Sequence, residues 1–205
     1  MSDTTIKELL ENKNKPYPKL HGQKELVIEP FNPKNLQPAS YDLTLGKKFL
    51  RPKTTTYEYD NFSSQKVQTV SILDIQCMPK VEDFMESFEP EKVLLKPGQF
   101  LLGTTAEYVE IPNGIRASIE GKSSLARIGL APHIAAGYID PGFCGNITLE
   151  FINNGPWTII LRPGDKIAQI AFAFVDKPSE RPYGCPELGS HYQGQTTVQG
   201  SLYGT

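Results

Sequence analysis

Residues 117–151, ASIEGKSSLARIGLAPHIAAGYIDPGFCGNITLEF, crowd together the side chains needed for phosphate binding and for proton transfer. Two adjacent hydroxyls, Ser123 and Ser124, are flanked by two cations, Lys122 and Arg127. Hydroxyls and cations suit a phosphate. One carboxylate, Asp140, follows in a Gly/Pro-rich turn, and a second, Glu150, sits in an apolar run. A carboxylate among apolar side chains suits proton transfer, because desolvation raises its pKa toward the working range. Taken singly, each residue is ordinary in a β protein. Their joint spacing carries the argument.

The flanking sequence reads as the strands that would hold these groups. SYDLTLGKKFL alternates, with Tyr41, Leu43 and Leu45 on one face. KVLLKPGQFLLGTT is apolar, turn, apolar, with Pro97-Gly98 set for a type II turn. TIILRPGDKIAQIAFAFV repeats that plan around Pro163-Gly164. Two such echoes predict paired hairpins in a sandwich or barrel rather than a βαβ sheet. YVEIPNGIRASIEG places strands either side of a Pro-Asn-Gly turn, and SSLARIGL reads as one helical turn or a short helix. Thr5 to Glu8 fits a capping box, and the stripe of Ile6, Leu9 and Leu10 predicts a helix ending before Pro16. The polar arm 51–91 is weakly patterned; VEDFMESF reads as a helical turn with Phe84 and Phe88 four apart. One β domain over 1–176 and a Gly/Pro/Ser/Gln-rich tail over 177–205 are expected. The tail is either a frayed end or a flap carrying Tyr183, His191, Tyr192 and Gln195 over a site.

Composition narrows the chemistry. The chain has 205 residues and a net charge of -2, so no broad basic field invites a nucleic acid. No apolar run reaches membrane-spanning length, and the first residues lack a signal peptide's apolar centre. Cys77, Cys144 and Cys185 are scattered, which fits a reducing, cytoplasmic setting. Arg116 stands where a P-loop needs its first glycine, so Gly121-Lys122-Ser123 is not one. The H-x-E and P-C-x-x-C pattern of zinc nucleobase deaminases is missing, so zinc is not expected. There is no G-x-S-x-G elbow.

GKSSLARIGL followed by HIAAGYIDPGFCGNITLEF closely resembles the dCTP deaminase branch of the dUTPase-like superfamily. SYDLTLG upstream and RPYG…GSHYQGQ downstream extend the resemblance from about Ser40 to Gln195, the polar arm excepted. The resemblance implies a mainly β chain, a distorted β jelly roll with short helices. It implies a homotrimer with active sites between subunits and a tail that closes over them. It implies dCTP and dUTP as ligands, with Mg²⁺ held through the triphosphate rather than by a protein cage. Glu150 matches the general base for water attack on C4 of cytosine, Arg127 the group that orients it, and Ser123 the group that positions the water. Ser124 and Lys122 match phosphate-side positions. Ala135, Ala136, Gly137 and Tyr138, with Ile139, match the hairpin that reads the pyrimidine edge. Asp140 matches the carboxylate near the deoxyribose hydroxyl, which in dUTPases and bifunctional members also activates the water attacking the α-phosphate. Tyr183, His191 and Gln195 match tail contacts.

This chain departs from the family pattern at four of those positions. Lys122 replaces a usual Arg, keeping the charge but losing the bidentate fork. His191 stands where Lys is frequent. Ala135 stands where Thr is common, near the switch for dTTP feedback, so that feedback ligand stays open. Gly137 stands where dUTP-releasing deaminases often carry His, and it would leave room for an Asp140-held water to meet the α-phosphate. The leading expectation is deamination of dCTP to dUTP and ammonia; the sequence leaves open whether the dUTP is released or is cleaved further to dUMP and pyrophosphate. A dUTP diphosphatase without deamination, or a nucleotide-binding regulatory trimer, are the alternatives.

Overall fold

A computed structural model of the chain describes residues 1–11, 25–53 and 73–203, together with the backbone of two short strands at 57–59 and 66–68. Helix α1 (Asp3–Glu11) buries Ile6 and Leu9, as their spacing predicts. Its cap lies three residues before the expected one. The Ser2 carbonyl accepts from the Ile6 N–H at 3.0 Å, and the Ser2 hydroxyl accepts from the Thr5 N–H at 3.4 Å. Ser2 is therefore the cap and Thr5 lies inside the first turn.

The strands follow in chain order: β1 (Val27–Glu29), β2 (Leu36–Gln37), β3 (Ser40–Pro52), β4 (Tyr57–Tyr59) and β5 (Lys66–Gln68). Helix α2 (Val81–Phe84) runs directly into β6 (Met85–Phe88), and then come β7 (Val93–Leu95), β8 (Phe100–Glu110) and β9 (Ile115–Gly121). Helix α3 (Ser123–Ala126) precedes β10 (Leu130–Ala131), β11 (Tyr138–Ile139), β12 (Cys144–Asn153), β13 (Ile159–Leu161) and β14 (Lys166–Phe174). One antiparallel sheet runs β10-β12-β8-β3-β14-β9-β11, with β1 on β8 and both β2 and β6 on β3.

Strand β3 bends this sheet over its own core. Tyr41, Leu43 and Leu45 are 0%, 0% and 1% exposed, as the alternation predicts. The first half of β3 pairs with β14, Asp42 opposite Gln169; the second half pairs with β8, Leu50 opposite Leu102. The register breaks between Leu45 and Phe49, where the strand passes from one half of the sheet to the other. Gly46 sits at that break, and a Cβ there would lie 2.7 Å from the Thr104 methyl. Both halves then close on one core that includes Tyr41, Phe49, Leu149, Phe151 and Ile167. The result is the curled, mainly β architecture of a distorted jelly roll.

Three local expectations are corrected. The two Pro-Gly turns form as predicted, with Gly98 at φ 74 and Gly164 at φ 90, but neither closes a hairpin. The strand before each turn pairs with the strand before the other, β7 with β13, Leu94 opposite Ile160. Tertiary pairing has overridden the local pattern. Phe84 and Phe88 do not share a helix. The chain turns extended at Met85, and Phe88 crosses to Phe49 on β3, ring centroids 5.7 Å apart. The tail is not frayed. Val198 is 6% exposed and packs with Leu50, Met85 and Leu102. Burying one such side chain is worth about 1.5–3 kcal/mol, enough to fix a segment that has no extended ladder. Among the described residues no helix is long and apolar enough to cross a membrane.

Candidate active site

Strand β12 sets the position of Glu150. Its period of two sends Ile147, Leu149 and Phe151 into the core and leaves Asn146, Thr148 and Glu150 half-buried on the other face. That face borders a cavity of about 620 Å³. Thr148 and Glu150 line it from β12, and Ala136, Tyr138 and Asp140 from the segment leading into and out of β11. Phe84 and Met85 of the arm and Phe100 and Leu102 of β8 form an apolar side. Tyr183, Tyr192, Gln195 and Gln199 come from the tail. Glu150 Oε2 accepts from the Ile134 N–H at 3.2 Å, which ties the carboxylate to the loop carrying Ala135, Ala136 and Gly137.

The tail is stitched to the same strand. Gly145 and Gln195 bridge in parallel; the Asn146 N–H donates to the Gln195 carbonyl at 2.8 Å, and Gln195 Nε2 donates to the Asn146 carbonyl at 2.5 Å. Gly142 has φ 93, and a Cβ there would lie 2.6 Å from Pro182 Cβ, so the tail can cross this turn only at a glycine. The Tyr183 hydroxyl accepts from the Tyr192 N–H at 3.1 Å. Burial raises the Tyr183 pKa, so its phenol stays protonated and able to donate.

Helix α3 holds the hydroxyls and a cation elsewhere. Ser123, Ser124 and Arg127 are exposed, and none of them borders the Glu150 cavity. Lys122 caps α3 only through its backbone; its Nζ lies 2.6 Å from Asp42 Oδ1. Within one chain, therefore, Arg127 does not orient Glu150 and Ser123 does not reach it: among the described residues no ion pair joins Arg127 to that carboxylate. His191 is exposed beside the Tyr192 ring and is not part of the cavity lining. Ala135 is exposed in the loop and lies outside the lining. The space at Gly137 is used by the chain itself. A Cβ there would lie 2.9 Å from the His133 ring and 2.9 Å from the Ile119 carbonyl.

Some residues of this region were not singled out from the sequence. Asp42 is 2% exposed and carries both Lys122 and Lys166. The alternation of SYDLTLG did contain the signal, since Ser40, Asp42 and Thr44 fall opposite the apolar triplet. Phe84 was read only as part of a helical turn, and Met85, Val198 and Gln199 carried no signal, because their meeting joins two weakly patterned segments.

The family model described as dCTP deaminase-like matches residues 12–175. A protein of Methanosphaera stadtmanae named dCTP deaminase, dUMP-forming, is 38% identical over 203 residues, covering 97% of this chain and 91% of that protein. A protein of Natronomonas pharaonis named dCTP deaminase is 42% identical over 179 residues, covering 86% of each. The crystal structure of 2'-deoxycytidine 5'-triphosphate deaminase from Agrobacterium tumefaciens superposes with a TM-score of 0.58 at 20% identity. It covers 85% of this chain, which spans about half (48%) of that one, so the likeness speaks to fold alone. The chain belongs to the dCTP deaminase-like family.

Proposed function

We propose that this protein deaminates dCTP and then cleaves the product to dUMP and pyrophosphate. The observation that carries the reading is that Glu150 and Asp140 border one cavity, the first on a strand face beside apolar side chains, the second at its exposed rim. On this reading one carboxylate serves the base and the other the sugar–phosphate end.

Glu150 takes a proton from water as the water oxygen bonds to C4 of cytosine. It passes that proton to N3, then carries the hydroxyl proton to the 4-amino nitrogen. The C4–N bond breaks, ammonia leaves, and a C4 carbonyl remains. A positioned acid/base of this kind contributes about a hundred- to ten-thousand-fold in rate. Asp140 then holds the water that attacks the α-phosphate, with pyrophosphate as leaving group. Ala136 and Tyr138 serve the base end, and Tyr183 and Gln195 close the tail over it, whereas His191 and Ala135 lie outside the lining and take no part within one chain.

The reading requires more than one chain. Ser123, Ser124, Lys122 and Arg127 lie outside the Glu150 cavity, so a neighbouring copy brings its α3 to the site, giving a homotrimer with shared sites. Arg127 of one chain then orients Glu150 of the next, Ser123 positions the attacking water, and Ser124 and Lys122 hold phosphate. Among the described residues no group of three or more His, Cys, Asp or Glu could form a metal cage. Mg²⁺ would arrive on the triphosphate, held by the substrate's own oxygens and neutralising phosphate charge.

Incubation with dCTP and Mg²⁺, with the nucleotides separated by chromatography, tests the proposal. Ammonia, dUMP and pyrophosphate are expected in equal amounts. Ammonia with dUTP alone would remove the second step, and unchanged dCTP would overturn the whole.

A further inference from the structure

Three side chains from three strands or strand ends meet on the outer face of β3, away from the cavity. Asp42 is 2% exposed, yet it is a carboxylate. Lys122 Nζ lies 2.6 Å from its Oδ1 and Lys166 Nζ 3.4 Å from its Oδ2. Gln37 Nε2 donates to Oδ2 at 3.3 Å, and Lys166 Nζ donates to the Lys34 carbonyl at 3.2 Å. The neighbouring strands are locked around the cluster: the Ser40 hydroxyl donates to Gln169 Oε1 at 3.2 Å, and Gln169 Nε2 donates to the Gly121 carbonyl at 3.3 Å.

One carboxylate facing two ammonium groups leaves a surplus positive charge. The carboxylate is buried while the lysines reach outward: the Lys122 side chain is 23% exposed and that of Lys166 is 42% exposed. The adjacent buried carboxylate, Glu107, accepts from Thr44 through both oxygens and pairs with neither lysine. Each ammonium carries three N–H donors, so both keep donors for an outside acceptor. A single lysine is a point charge without the two-toothed grip of arginine. Two lysines pinned to the two oxygens of one carboxylate restore a pair of donors at fixed spacing.

We propose that Lys166 is a phosphate-binding residue, acting with Lys122 as a two-ammonium cradle for the polyphosphate of the nucleotide, and that buried Asp42 is the positioning residue that holds both. The inference rests on the phosphate-side role of Lys122 proposed above. It assigns the cradle to the β- and γ-phosphates, since the α-phosphate must lie toward Asp140.

Lys166→Met, Lys166→Arg and a control at exposed Lys48, Lys48→Met, test it on the whole assembled protein. The probe is inorganic tripolyphosphate, titrated by calorimetry, beside KM and kcat for dCTP and dCMP. Lys166→Met is expected to weaken tripolyphosphate binding about tenfold, the scale of one hydrogen bond to a charged group. It should raise KM for dCTP more than it lowers kcat, leave the dCMP parameters alike, and be restored in part by Lys166→Arg. Asp42→Asn should weaken tripolyphosphate binding as well while the protein keeps its cooperative melt. Equal tripolyphosphate binding by wild type and Lys166→Met, or no binding by wild type, overturns the cradle. Failure of wild type to release ammonia from dCTP would instead strike the proposed function, because the tripolyphosphate titration does not depend on turnover.

Discussion

The cavity beside Glu150 and the helix that carries Ser123, Ser124 and Arg127 are finished to different degrees. The cavity is a half-open cleft lined by its own chain: β12, the β11 segment, β8, the arm and the tail all contribute. Helix α3 has no such cover, and its two hydroxyls and guanidinium point into solvent. Large apolar side chains are also exposed nearby in sequence, with Ile128 at 41%, Ile134 at 55% and Tyr138 at 58%. Chemistry that needs desolvation cannot be completed at an exposed guanidinium. The difference fits the proposed division, in which one chain lines the pocket beside Glu150 and presents α3 to a neighbouring copy.

The largest expected effect tests that division directly. Glu150→Gln should lower ammonia release by about a hundred- to ten-thousand-fold while dCTP binding, followed by calorimetry, survives. Arg127→Met should cause a comparable loss. Co-expressed in equal dose, the two inactive variants should recover about a quarter of wild-type activity, because one site in four then draws intact Glu150 and intact Arg127 from neighbouring copies. No recovery would place both groups in one chain and erase the comparison.

A smaller effect concerns how the cleft is closed. Gly200 packs against the arm so tightly that a Cβ would lie 2.5 Å from Val81 Cγ1. Gly200→Ala should push the end of the tail off the arm and raise KM for dCTP about tenfold, in line with a modest overpacking penalty. Adding Val81→Ala removes the obstructing methyl groups and should return KM toward the wild-type value. If Gly200→Ala leaves KM unchanged, the arm has no part in closing the cavity.

How much of this was legible beforehand follows from what kind of signal each part leaves. The β3 alternation and both Pro-Gly turns are local, and they formed as read. The strands before those turns were assigned to hairpins because adjacent apolar runs usually pair. They paired with each other instead, since β7 and β13 match Leu95 with Ile159 and Leu161 with Val93, a partnership between residues far apart in sequence. Glu150, Asp140, Ala136, Tyr138, Tyr183 and Gln195 were all chosen from motifs and now border one cavity. The expected Glu150–Arg127 contact is absent within a chain, because spacing along a sequence does not fix which groups meet in space. Asp42 was passed over because an acidic residue on the polar side of an alternating strand normally lies in water.

The smallest effect separates two buried carboxylates on this outer face, and so sharpens what holds the exposed half in place. Asp42 is neutralised by two lysines, whereas Glu107, also 2% exposed, meets the Thr44 N–H at 2.9 Å and the Thr44 hydroxyl at 2.8 Å. Burial pushes the Glu107 carboxyl up, and the bonds from Thr44 only partly pull it back. The folded state therefore binds this proton more tightly than the unfolded state does. Its contribution to stability is complete below the ordinary glutamate range and is lost as pH rises through the raised folded value. Glu107→Gln removes the titration and preserves the shape, since its amide can accept from the Thr44 N–H and donate to the Thr44 hydroxyl. Melting followed by circular dichroism from neutral pH downward should show wild type gaining on the variant as pH falls through that window, then running parallel below it. Parallel curves throughout would mean that Glu107 keeps an unstrained charge. The stability of the β3 face would then depend on pH no differently at Glu107 than at a carboxylate left in water.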